Sequence, residues 1–275
     1  MDAAEMTKFA HAKKIAQRFV AARMNALALA DFPGPIPPDL ASAYQVQDEA
    51  IKLWPDAVAG WKIGKIGEDI QAKYGSHRLG GPIFSRAVKK SDGLAPIEVG
   101  LFVGGFAAVE AEFIFEIAYD APAEKTEWTI PEAAEIAGRL LIGIEMAGSP
   151  LATINALGPC VIVSDFGNNA DEIVGGEIRG WREMKWEDLA VETFIDGASV
   201  GRGSAAFIPG SPLESLQFIA GNVASRGLPL KKGTLISTGA ATGVHDIKVG
   251  QKARVEFKGF GSFDLVTKPR TIETL

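Results

Sequence analysis

With 275 residues, 47% of them hydrophobic and 23% charged, the chain can bury a sizeable core and has length for one large domain or two small ones. That balance excludes a disordered or fibrous protein. A formal net charge of −6 leaves no basic footprint, which argues against nucleic acid and anionic membrane surfaces as partners. A single cysteine, Cys160, rules out an intrachain disulfide and a thiolate zinc cluster, and suits a reducing cytoplasm.

In chain order, Thr7 to Leu29 place Phe9, Ile15, Phe19, Val20 and Leu27 at helical spacing, and FPGPIPP, Phe32 to Pro38, ends that helix. The early charges, among them Lys13 and Lys14, lack the layout of a secretory signal and fit an amphipathic helix. A second helix is predicted from Asp39 to Trp54, stopped by Pro55. Residues 1–59 therefore read as a helical segment packed on a larger body.

From Gly60 the texture changes to short β-like runs broken by glycine: GWKIG (Gly60 to Gly64), PIF (Pro82 to Phe84), VEAEFIFE (Val109 to Glu116), RLLIGIE (Arg139 to Glu145) and PCVIV (Pro159 to Val163). The longest uncharged run, Met146 to Ser164, is interrupted by Gly148, Pro150, Gly158 and Pro159 and reads as buried strand and loop, not a membrane span. Asp196-Gly197 predicts a tight hairpin turn. SPLE, Ser211 to Glu214, is a capping box that opens a helix ending near Gly227. TLISTG, ARVEF and FDLVT close the chain as strands. With no repeat, the expectation is an α+β protein, mostly sheet with helices outside.

Common site types fail on their spacing. GWKIGK is one residue short of a phosphate-binding loop and lacks the following Ser or Thr, and His11, His77 and His245 are scattered. The carboxylates remain. On a strand, Glu110 and Glu112 share a face with Ile114 and Glu116, while Val109, Ala111, Phe113 and Phe115 line the other. Glu145 is the only charge between Arg139 and Asp165. Three converging carboxylates repel unless a cation lies between them, and an all-oxygen set suits Mg²⁺ or Mn²⁺. The same E-x-E pair also occurs on solvated strand faces, and Glu116 reads as one of these. Lys62, between Trp61 and Ile63, reads either as a snorkelling surface lysine or as a cation whose burial lowers its pKa and lets it shuttle a proton.

GWKIG, GPIF (Gly81 to Phe84), VEAE (Val109 to Glu112), GIE (Gly143 to Glu145), VSD (Val163 to Asp165) and LISTG (Leu235 to Gly239) occur in that order, followed by GQKARVEF and GFGS. Together they resemble the 2-keto-4-pentenoate hydratase and 4-oxalocrotonate decarboxylase branch of the fumarylacetoacetate hydrolase superfamily, over about Gly60 to Thr267. The resemblance implies a mixed β-sheet roll or distorted barrel with peripheral helices, residues 60–275 forming the catalytic domain. It implies an octahedral divalent ion on Glu110, Glu112 and Glu145, chelating the 1-carboxylate and 2-oxygen of a 2-oxo acid or its enol. Lys62 matches the family lysine that assists the proton steps, and Thr238 the substrate-contacting hydroxyl. Where hydratases of this branch carry an aspartate before GPIF, this chain has Leu79; where they carry Asn-x-Ser after the aspartate matching Asp165, it has Phe166 to Asn169. His77, Arg78 or Asn168 are candidates to replace those groups, with His77 equally a loop residue, and Asp165 either orients a neighbour of the substrate or starts a turn. A hydratase is the first expectation and a decarboxylase of a 2-oxo dicarboxylic acid the second, with an inactive acid-binding or assembly subunit as a further alternative. Relatives in the family are oligomeric, so a homodimer or larger ring is expected.

Overall fold

Strands whose side chains alternate between an apolar and a polar face dominate the computed structural model, which describes residues 3–272. Two helices come first, α1 (Ala3–Met24) and α2 (Leu40–Leu53), the second capped by the Asp39 carboxylate on the Ser42 amide. Then follow β1 (Val58–Lys65), the single turn α3 (Gln71–Tyr74), β2 (Arg78–Phe84), β3 (Val88–Lys90), β4 (Ile97–Leu101), β5 (Phe106–Ile117), α4 (Ile130–Ile136) and β6 (Ala137–Ser149). The second half holds α5 (Pro159–Ser164), β7 (Asn169–Glu177), β8 (Ala190–Ile195), β9 (Ala198–Ser204), α6 (Pro212–Ser225), β10 (Leu235–Ser237), β11 (His245–Asp246), β12 (Lys252–Phe257) and β13 (Gly261–Pro269).

The larger sheet runs β2-β1-β10-β5-β6-β7-β3, with β11 also on β5; the smaller runs β4-β13-β12-β8-β9. Both are mixed: β1 lies parallel to β10, β3 to β7 and β4 to β13, the other pairs antiparallel. The protein is thus α+β, a curled large sheet closed by a second sheet and flanked by helices. The apolar face of β5 packs onto the second sheet, where Phe113 meets Phe257 edge-on at 5.4 Å between ring centres. The opposite face of the large sheet is therefore left to the polar residues of the same strands.

The helical opening shares a core with the body: Ile15 and Phe19 of α1 and Val46 and Ala50 of α2 cluster with Phe84, Ile154, Val161 and Phe166. The hairpin forms at Asp196 and Gly197, both left-handed at φ 49° and 82°, as a two-residue turn of that chemistry requires. Ser211 caps α6 on the Glu214 amide. One expected strand is absent. PCVIV is the helix α5, because Gly158, at φ 93°, and Pro159 at the first helical position start a helix that outweighs the β-preference of two valines. Among the described residues, no helix is long and apolar enough to cross a membrane.

Candidate metal and acid-binding site

Cross-strand register assembles the polar face. Lys62 on β1 stands beside Ser237 on β10, which pairs with Ile114 on β5. Glu110 on β5 pairs with Glu145 on β6, and Glu145 in turn with Glu172 on β7. Residues paired across strands share a face, so Lys62, Ser237, Glu110, Glu112, Glu145 and Glu172 form one patch. All are buried, Glu112, Glu145 and Glu172 completely.

One oxygen from each of Glu110, Glu112 and Glu145 lies within 4.8 Å of the others. Lys62 Nζ is 3.1 Å from Glu145 Oε1 and donates to the Gly167 carbonyl at 3.0 Å. Glu112 Oε2 accepts from Ser237 Oγ at 2.6 Å and from the Gly239 amide at 2.8 Å. Asn169 Nδ2 donates to Glu145 Oε1 at 3.3 Å. Glu112 Oε1, Glu145 Oε2 and Glu172 Oε2 are buried with no hydrogen-bond partner among the described residues. Buried oxygens left in that state are costly. The donor set of three carboxylates, all oxygen and strongly anionic, fits a hard divalent cation.

Burial, with the Glu145 charge next, pushes the Glu110 carboxyl up to about 8. Burial and the neighbouring acids also hold Glu112 and Glu172 well above the usual carboxylate range. Lys62 departs from the expected direction. Burial pulls its pKa down, as the sequence suggests, but Glu145, Glu110 and Glu112 together outweigh burial and hold the ammonium above its ordinary value.

A loop completes the patch. Phe166, Gly167 and Asn168 are consecutive left-handed residues at φ 52°, 65° and 67°, two of them not glycine. The turn lies directly on β2, because a Cβ on Gly81, the partner of Lys62, would stand 2.2 Å from the Phe166 carbonyl oxygen. That close approach brings the Gly167 carbonyl to Lys62. Asn168 Oδ1 is buried without a partner, and its Nδ2 lies 3.5 Å from Asn155 Oδ1.

A cavity of about 560 Å³ opens over the patch, and Lys62, Glu110, His77, Asn168 and Thr238 all line it. Thr238 Oγ1 donates to the Phe113 carbonyl at 2.6 Å. His77 is half exposed, 3.6 Å from Glu214. Asp165 lies elsewhere. It is buried against Arg23, with Nε 2.5 Å from Oδ1, and accepts from Ser149 Oγ at 2.6 Å on its other oxygen. Glu116, read as a solvated strand end, pairs with Arg139.

Sequence reasoning missed Glu172, Ser237 and Arg23. Glu172 sits in NNADEIV, where Asp171 and two asparagines suggest a polar turn, and only its register with Glu145 brings it inside.

No family model matches the chain. A 4-oxalocrotonate decarboxylase from Pseudomonas putida is 30% identical over 101 residues, 37% of this chain and 38% of its own length. A second decarboxylase of that name, from Pseudomonas sp, is 27% identical over 59% of its length, so both matches span less than two thirds of the relative. A 2-keto-4-pentenoate hydratase from Paraburkholderia phymatum is 24% identical over 224 residues, 75% of this chain and 84% of its own. In fold, the chain is similar to the 4-oxalocrotonate decarboxylase of Pseudomonas putida G7, solved with calcium and acetate, at a TM-score of 0.75 and 22% identity over 94% of this chain and 97% of that one. The same neighbour has also been solved with magnesium and adipate. Relatives carrying both names of the branch that the motifs resemble stand behind that resemblance.

Proposed function

We propose that the chain is a divalent-metal-dependent lyase of the hydratase type, acting on a short 2-hydroxy-dienoic or 2-oxo acid with Mg²⁺ or Mn²⁺. The observation that carries this is the set of three buried carboxylates, two of them with an unpartnered oxygen, reached from a cavity that Glu110 and the buried Lys62 line. Glu110, Glu112 and Glu145 would hold the ion, which supplies the positive charge that polarises a 2-oxo group and favours its enolate form.

The remaining roles belong to the chain itself. An ammonium has three N–H donors, and Lys62 spends two on Glu145 and the Gly167 carbonyl, leaving one for a substrate oxygen. Held between acids, it is charged and can hand a proton to the conjugated chain, taking it back in the reverse step. Asn168 Oδ1, buried and unpartnered, is an acceptor for water or a substrate hydroxyl. Thr238, which lines the cavity, gives its hydroxyl proton to the Phe113 carbonyl, so toward a ligand that hydroxyl can only accept. His77 stands at the rim, while Asp165 acts at a distance by holding the 166–168 turn. Residues 1–59 form the segment packed on a catalytic body spanning 60–275, in a homodimer or larger assembly.

Decarboxylation of a 2-oxo dicarboxylic acid is the second reading, supported by the names of two relatives and by the structural neighbour. A panel of 2-hydroxy-dienoic and 2-oxo acids with Mg²⁺ or Mn²⁺, followed by ultraviolet absorbance and carbon dioxide release, separates them. Hydration bleaches the dienol without gas. Carbon dioxide would favour the decarboxylase, and no metal-dependent change with any acid would leave an acid-binding protein.

A further inference from the structure

We infer that the acid bound at this site carries an uncharged, apolar tail, and that the part of the cavity beyond Lys62 receives it. The inference rests on the proposed lyase reading, which places the acid's head at Glu110 and Lys62. Past Lys62, β1 continues through Gly64, about 7 Å further along at strand spacing, and Gly64 pairs with Leu79 on β2. The cavity there is lined by Ile66, Ile70, Leu79 and Ile162, together with Phe207 and Val244. Part of that lining is fixed: Ile66 and Leu79 are buried in a cluster with Tyr44, Cys160 and Val163, braced by α2. Phe207 and Val244, both lining the cavity, are 68% and 53% exposed, and a hydrocarbon tail would cover part of that apolar area.

Charge excludes the alternative. Among the described residues lining the cavity, Lys62 stands beside Glu145 and Lys65 beside Glu68, and Arg78 and His77 share Glu214. Lys65 is 2.8 Å from Glu68, and His77 is 3.6 Å from Glu214. Arg78, buried, is 3.3 Å from Glu214 and also donates to Ser215 Oγ and the Pro209 carbonyl. A second carboxylate at the far end of the substrate would have to displace Glu214 or lie unpaired against isoleucines, a desolvation cost with nothing to offset it. A methylene gains from the same surroundings, by about threefold to fourfold in affinity when fully buried.

The test is calorimetric binding of saturated 2-oxo acids to the full chain, with and without Mg²⁺, so that no turnover is needed. Affinity should rise from 2-oxobutanoate through 2-oxopentanoate to 2-oxohexanoate. At equal length, 2-oxohexanoate should bind about tenfold or more tighter than 2-oxohexanedioate. Phe207→Arg, at an exposed position that folding tolerates, should shrink or reverse that ratio. Metal-dependent binding in which the diacid matches or beats the monoacid would overturn the tail assignment and leave the lyase reading standing, as would a ratio that Phe207→Arg does not move. Absence of Mg²⁺-dependent binding in both series would overturn the two together.

Discussion

The protein buries two charged clusters side by side, and they are resolved in opposite ways. Asp165 is matched one to one. Arg23 meets its carboxylate and spends its other donors on the carbonyls of Asn169, Gly148 and Asp165, with its guanidinium between Phe102 and Phe166 at 5.6 and 5.2 Å. The neighbouring cluster gathers Glu110, Glu112, Glu145 and Glu172 around Lys62, and among the described residues three of its oxygens find no donor. Asn169 joins the two, its backbone carbonyl serving Arg23 and its side chain Glu145. Buried charge that the chain satisfies by itself holds the fold together, whereas buried charge that it leaves unsatisfied marks a place for something else to bind.

The largest expected effect breaks the open cluster at Lys62. Lys62→Met, similar in length and uncharged, should lower turnover of an accepted acid at saturating Mg²⁺ by roughly 10²- to 10⁴-fold, the range for a general acid or base. If Lys62 only holds the substrate, the loss should appear as a raised KM with kcat largely kept. Wild-type kinetics in the variant would remove the lysine from the chemistry.

The closed cluster should fail differently. Arg23→Met leaves Asp165 buried without a counter-charge, so unfolding in urea should show a loss of about 3–5 kcal/mol. Mg²⁺ affinity of the folded protein should change little, because the guanidinium makes no contact with Glu110, Glu112 or Glu145. A variant of normal stability that has lost Mg²⁺ binding would show that the two clusters are one.

Such a contrast is only half legible in the sequence. Glu110 and Glu112 stand out because a period of two puts them opposite an apolar face, and Glu145 because no other charge surrounds it. The α+β class follows from the same periodicity. The partnership of Arg23 with Asp165 spans 142 positions, and nothing local marks it. Glu172 hides for the same reason, since its neighbours in sequence are polar and its neighbours in space lie on other strands. The direction of the Lys62 shift is not legible in sequence because burial can be inferred from Trp61 and Ile63, but the summed field of three glutamates requires the folded sheet. In α5, residue preference pointed to strand, and the Gly158-Pro159 start decided for helix.

The smallest expected effect sharpens the comparison most finely, because it concerns one proton. Ser237 Oγ lies 2.6 Å from Glu112 and 3.0 Å from Glu172, yet a hydroxyl has a single hydrogen. One of the two contacts therefore needs a proton on a carboxyl group, in keeping with burial holding both acids well above the ordinary range. Glu110 gives the pH window: its ordinary value is 4.5 and the fold raises it to about 8. Below 4.5 the group is protonated whether the chain is folded or not. Between 4.5 and 8 the folded state keeps a proton that the unfolded chain releases, so without metal stability falls as pH rises, and levels off above. Saturating Mg²⁺ binds the deprotonated carboxylates and should flatten that slope. Glu172→Gln removes one of the acids while keeping its shape and a donor for Ser237. In the absence of Mg²⁺ it should therefore stabilise the protein near pH 8 by about 1 kcal/mol, the size of one polar contact, and make no difference near pH 4. Urea unfolding at the two pH values decides it. A variant less stable at pH 8 would mean that Glu172 is ionised and held there by a partner, and the open cluster would then be nearer in kind to the closed one.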